Sequence, residues 1–184
     1  MEWTLPGSVI SAKIEDAPHV EQQFRSMFMG GGIMLSQISA ITGLEAYDVQ
    51  NWVKRGFLSP PERKRYSMRQ LCRILNINML KKVLPMEQIC GLLGYINGNL
   101  GDESDDMIDD SQLYFMFVRL AAHYRTMQNA AGRDESIGME LAGYTEPVPG
   151  AKKRVEQVLR IMLTAWASAQ LMTATQKMIA ELEG

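Results

Sequence analysis

The sequence predicts an all-α, or at most mainly α, fold: a winged helix-turn-helix with a short wing, followed by a C-terminal helical bundle. Three observations predict it. Apolar residues recur at helical spacing through most of the 184 residues. A glycine, Gly43, separates two short apolar stripes by the distance a tight helix–helix turn needs. A double proline and a basic cluster, Pro60-Pro61-Glu62-Arg63-Lys64-Arg65, then interrupt the helical pattern before it resumes.

Ile38 is the apolar anchor of the first helix of the pair, and Ser39 is the small residue at the helix crossing. Gly43 supplies the positive φ of the turn. Leu44 packs inward, and Val49 and Trp52, three apart, share the inner face of the second helix. Lys54 and Arg55 suit the C-terminal dipole of that helix, and Gly56 ends it. The prolines leave an extended excursion with a basic tip over 59–66. Ser67 and Gln70 have the spacing of a capping box, and Leu71, Ile74, Leu75 and Met79 continue as a stripe. Pro85 opens a further helix with Ile89, Leu92 and Leu93 inside.

The flanks are plainer. Pro6-Gly7 marks a turn, and Asp16-Ala17-Pro18 starts a short helix with Val20, Phe24, Met27 and Phe28 on one face. Gly30-Gly31-Gly32 reads as a flexible joint. Six acids in the nine residues 102–110 read as a solvated linker, because they lack the spacing of a calcium loop. The next helix is capped by Asp110 or Ser111 and closed by Gly132; 132–150 read mainly as loop, with a helical turn at Ile137–Leu141. The last segment, Ala151–Leu182, is one long helix with Val155, Val158 or Leu159, Met162, Trp166, Ala169, Thr173 and Ile179 inward. The expected organisation is an N-terminal arm with a short helix (1–32), the winged domain (33–98), the acidic linker (99–110) and a C-terminal helical region for dimerisation or effector binding (111–184).

Charge narrows the function. The net charge is only −2, yet Lys54 to Lys82 holds nine Lys and Arg against Glu62 alone. A basic segment on an otherwise acidic chain is the footprint of nucleic-acid contact. Tyr47, Gln50 and Asn51 lie on the outer side of the second helix, within reach of base edges. Lys54, Arg55, Arg63, Lys64 and Arg65 suit phosphates, as does the Tyr66 hydroxyl.

Catalytic signatures are missing. His19 and His123 fall in no metal pattern, and there is no nucleophile elbow, phosphate loop or Cys-x-x-Cys pair. We therefore expect no enzyme, cofactor or metal. Cys72 and Cys90 read as buried free thiols in a reducing compartment. With no signal peptide and no apolar run long enough for a membrane, a cytoplasmic protein is expected. Tyr114, Phe117, Tyr124, Met162 and Trp166 could line an effector pocket; such a stripe is more often plain core.

The order of helix, glycine turn, helix, proline, basic residues, Tyr-Ser, helix and Leu-Pro-x-Glu-x-Ile helix resembles a MerR-type winged-helix DNA-binding domain. VQNWVKRGFL, KRYS and INMLKKVLPMEQICGLL are similar still more closely to an uncharacterised bacterial MerR-like family, a domain of unknown function. The resemblance is strong over the middle third of the chain. It implies a transcriptional regulator that binds double-stranded DNA through helix 45–55 and wing 59–66, as a homodimer joined by its C-terminal helices. The MerR pattern usually has an arginine where this chain has Gln50, a longer wing with a glycine pair, and metal-sensing cysteines further on, whereas none follows Cys90. Gln50, Glu45 and Asp48 favour a second reading: a helical interaction module that keeps the winged fold without sequence-specific DNA binding.

Overall fold

The computed structural model describes residues 2–99, 103–124 and 130–182. It is mainly helical, with two small antiparallel sheets. Strands β1 (Glu2–Thr4) and β2 (Ser11–Lys13) form a hairpin, followed by a 3-10 turn over Ile14–His19 and helix α1 (Val20–Met27). Strand β3 (Ile33–Met34) leads into α2 (Leu35–Thr42) and α3 (Ala46–Lys54). Strand β4 (Arg65–Tyr66) precedes α4 (Met68–Leu80) and α5 (Met86–Asn97). After a 3-10 turn at Glu103–Asp105 come α6 (Asp110–His123), α7 (Ala130–Glu140) and α8 (Ala151–Leu182).

Helix α4 is the axis of the molecule. Its residues 71–80 are all buried, and it packs chiefly against α6 while also touching α2, α5 and α8. The Ser67 and Gln70 capping box forms at its start, with the Ser67 hydroxyl accepting from the Gln70 amide at 3.2 Å. Gly43 takes the left-handed conformation between α2 and α3, at φ 70°. Ile38, Leu44, Val49, Trp52 and Leu58 are buried beneath that turn, in the register their spacing predicts. Aromatic edges join the remaining layers. Phe24 of α1 meets Phe115 of α6 at 5.5 Å, and Phe117 of α6 meets Trp166 of α8 at 6.3 Å. Tyr124 also meets Trp166, at 5.5 Å, and Phe117 and Met162 are fully buried, so these residues pack between α6 and α8, while Tyr114 is buried on the α1 side against Phe24.

Several expectations are corrected. The N-terminal arm, read only as a turn at Pro6-Gly7 without a clear period, is a paired hairpin: the turn lies between β1 and β2 and inserts between α4 and α6. The Pro6 carbonyl accepts from the Tyr114 hydroxyl at 2.9 Å, and the Gly7 carbonyl accepts from the Asn78 amide at 2.8 Å. Pro18 lies inside the 3-10 turn and α1 starts at Val20, later than the Asp16 cap suggested. Helix α6 ends at His123, and Gly132 sits within α7. Much of the stretch expected as loop is therefore helical. Burial of Ile137 favours the helix against the cost of its glycines, and ion pairs from Arg119 to Glu140 (2.8 Å) and, more exposed, from Arg160 to Asp134 (2.9 Å) tie it to α6 and α8. In α8 burial stops at Ala169; Thr173 and Ile179, expected inward, are exposed with all of 170–182.

Gly7 is held at φ 72°, and a Cβ there would overlap the Leu75 carbonyl of α4. Gly7→Ala should therefore destabilise by more than the roughly 1–2 kcal/mol of a left-handed alanine. Gly30→Ala, with open space around it, should be near neutral. Urea unfolding of the two variants checks the contrast.

Candidate nucleic-acid interface

Helix α3 presents two faces. Val49 and Trp52 point into the core, while Tyr47, Gln50, Asn51 and Lys54 are all exposed. Those four lie at spacings of three and four, so they share the outer face. Tyr47 is 67% exposed, high for an aromatic residue. Arg55 stacks its guanidinium 4.6 Å from the centre of the Phe57 ring, and Lys81 sits 5.6 Å from the Trp52 ring. Glu45 and Asp48 occupy the start of the helix, where acids favour its N-terminal dipole.

The basic excursion is a hairpin tip. The Arg65 N–H donates to the Glu62 carbonyl at 2.8 Å, and Arg63 and Lys64 both have positive φ, 48° and 64°. That is the geometry of a type I′ turn, which normally selects Asn-Gly. Two long cationic residues in it are strained, and both stand exposed at the tip of the hairpin. Its return strand β4 pairs with β3, Ile33 opposite Tyr66 and Met34 opposite Arg65. The Gln70 side chain ties the base, donating to the carbonyls of Ser59 at 2.9 Å and Pro60 at 3.0 Å.

The fold brings some predicted residues together and separates others. Gln50 of α3 and Lys64 of the hairpin tip line one groove of about 600 Å³, floored by apolar atoms of Met34, Leu35 and Val53. Arg63 and Arg65 line a different cleft on the far side of the hairpin. Tyr66 is 3% exposed, so its side chain packs beneath the hairpin; burial also raises its phenol pKa.

The acidic stretch is the largest departure from the sequence-based picture. Asp106 and Asp110 are 8% and 1% exposed, not solvated. Arg69 of α4 pairs with Asp106 and lies 3.6 and 3.8 Å from Asp109 and Asp110. Arg73, also buried, pairs with Asp110 at 3.3 Å and donates to the Phe57 carbonyl at 3.0 Å. Burial raises the Asp110 carboxyl pKa, opposed by Arg73 and Arg69. Asp109 caps α6, accepting from the Ser111 N–H at 2.8 Å. Two of the nine cations in the basic segment thus turn inward. Their signal in the sequence was the complementary acidic run about 37 residues later.

Cys72 is buried and Cys90 half-buried, and burial raises both thiol pKa values. Among the described residues no His, Cys, Asp and Glu group could hold a metal ion, and no helix is long and apolar enough to cross a membrane.

The fold and this surface define a mainly helical protein with an exposed helix face and a basic hairpin beside it. Residues 32–117 match a family described as a domain of unknown function, DUF1836. That stretch begins just before β3 and runs through the acidic residues into α6. The chain is also similar to the "Uncharacterized protein YkrK" of Bacillus subtilis (strain 168), 25% identical over 165 residues, covering 82% of this chain and 70% of the relative. No solved structure matches.

Two outcomes test this geometry. Arg73→Ala should cost about 3–5 kcal/mol by leaving Asp110 buried and unpaired, whereas Arg73→Met with Asp110→Leu should cost less than either single change; chemical denaturation reads both. Arg63→Asn with Lys64→Gly should raise stability by about 1 kcal/mol or more by relieving the two strained φ values, visible as a higher urea midpoint.

Proposed function

We propose that this chain is a DNA-binding transcriptional regulator of MerR-like type, using α3 as the reading helix and the hairpin 59–66 as the wing. The observation that carries this reading is the shared groove: Gln50 of the helix and Lys64 of the wing tip face one space. A duplex edge there would meet Gln50 and Lys64, with Tyr47 and Asn51 on the adjoining exposed face of α3 and Arg63 and Arg65 on the far side of the wing. Asn and Gln suit adenine edges, and Lys54, Arg55, Arg63, Lys64 and Arg65 suit phosphates. The strained turn supports the reading, because cations stand there in place of the asparagine and glycine that stability would favour.

Selection from random duplex DNA tests it. The wild type should enrich a motif and Arg63→Glu with Lys64→Glu should lose it. With about five phosphate contacts, affinity should fall roughly two to three orders of magnitude between 50 and 200 mM salt. No enrichment by the wild type at low salt overturns the reading.

The partner in this proposal is a second copy joined through α8. The end of that helix, 170–182, is exposed throughout, and Leu171, Met178 and Leu182 follow one another at spacings of seven and four, flanked by Met172 and Ile179. The exposed end extends about 20 Å, and two copies laid side by side would cover each other's stripe. Sedimentation should show a dimer that Leu171→Asp with Met178→Asp converts to monomer; a monomeric wild type overturns this part.

One observation favours the alternative, a protein-interaction module on a winged fold. The groove under Gln50 is largely apolar, and Glu45 and Asp48 stand at the start of α3. In that case the wing-tip variant retains the partner and no duplex sequence is preferred.

A further inference from the structure

The hairpin has a second side, and its chemistry differs from that of the groove. A cleft of about 670 Å³ lies between the Gly30-Gly31-Gly32 loop, the hairpin and the first turn of α4. That volume falls within the range of roughly 300–1,000 Å³ typical of small-molecule sites. Four arginines line it, Arg63, Arg65, Arg69 and Arg73, against Glu62 and Asp110. The opposing wall offers bare backbone: a Cβ at Gly30 or Gly31 would meet nothing within 4 Å, so the loop leaves room for an occupant.

The arginines are placed at graded depth. Arg73 is buried at the floor, held by Asp110 and the Phe57 carbonyl. Arg69 is part-buried in the wall, where Asp106 supplies it with a carboxylate oxygen and Asp109 and Asp110 lie 3.6 and 3.8 Å away. Arg65 is anchored at the rim by donating to the Gly32 carbonyl at 2.9 Å. Arg63 is exposed beside it on the strained turn. A guanidinium fork matches phosphate as well as carboxylate, and it binds either more strongly where water is partly excluded. The chain itself already places an anion on Arg69.

We propose that this cleft binds the phosphate of a small organic phosphate, about a mononucleotide in size, on Arg63, Arg65 and Arg69, in competition with Asp106. Asp106 is four residues before the first residue of α6. Occupancy exchanges one of the carboxylates on Arg69, while Arg73 keeps Asp110 and the start of α6 against α4. The proposal does not rest on the DNA reading but shares Arg63 and Arg65 with it, and competition with duplex separates the two.

Calorimetric titration of the full chain with pyrophosphate, and separately with AMP, in low salt and without DNA, tests it. Saturable one-to-one binding is expected. Arg63→Ala should weaken it about tenfold, the loss of one charge-assisted contact, and Asp106→Asn should tighten it. Opposite signs from two variants exclude a general folding defect. No saturable binding by the wild type and by Asp106→Asn, or equal affinity in all three proteins, overturns the proposal. The titration is then repeated with saturating random-sequence duplex. Unchanged affinity supports a free phosphate ligand; lost affinity overturns the small-molecule assignment and gives the cleft to a backbone phosphate of DNA.

Discussion

The buried contact between Arg73 and Asp110 joins the two halves of this chain, and much of the architecture is arranged to make it tolerable. Neither charge could stay buried alone, since desolvation of an isolated ion costs more than the packing around it returns. Each is therefore bonded more than once. Arg73 also reaches the Phe57 carbonyl at the base of the hairpin, and Asp110 lies within 4 Å of Arg69 as well. The pair consequently ties three elements, hairpin, α4 and α6, to a single point. Helix α4 buries ten consecutive residues, and its buried polar side chains Arg73, Asn76 and Asn78 each donate to the elements around it.

The surface beside that point is organised around backbone strain. Glycine absorbs the positive φ at Gly43 and at Gly7, where a side chain would collide with α4. At the hairpin tip the same conformations fall on Arg63 and Lys64. A turn chosen for stability would carry asparagine and glycine there. The cations project from a position the fold can ill tolerate, with Lys64 on the α3 side and Arg63 on the arginine-lined side. The hairpin is thus the divider between two differently built recesses: one largely apolar and next to an amide-bearing helix, the other lined by guanidinium groups and bare backbone.

The helix pair was legible because its signals are local. Gly43, Val49, Trp52, Ser67 and Gln70 act through spacings of a few residues, and each sits as that spacing requires. The outer face of α3 followed from the same period. The hairpin's basic tip was legible as charge, but its type I′ geometry was not, since no glycine or asparagine marks it. The N-terminal hairpin was missed because strands of three residues carry too little alternation to read. Helix α7 was missed because glycines argued against it and only its neighbours argue for it.

The sequence by itself determined the helical character of the chain, the α2–α3 turn, the cap of α4 and the location of the positive charge, all properties of near neighbours along the chain. Only the tertiary structure decided which charges remain available. Arg69 and Arg73 looked equal to Arg63 and Lys64 when counted in a window, and the acids at 106–110 looked like a solvated tether. Folding brings that tether against α4, some 37 residues back, and there two of the cations meet their counter-ions out of water. Electrostatic partners are set by distance through space, and period and composition carry no record of that distance.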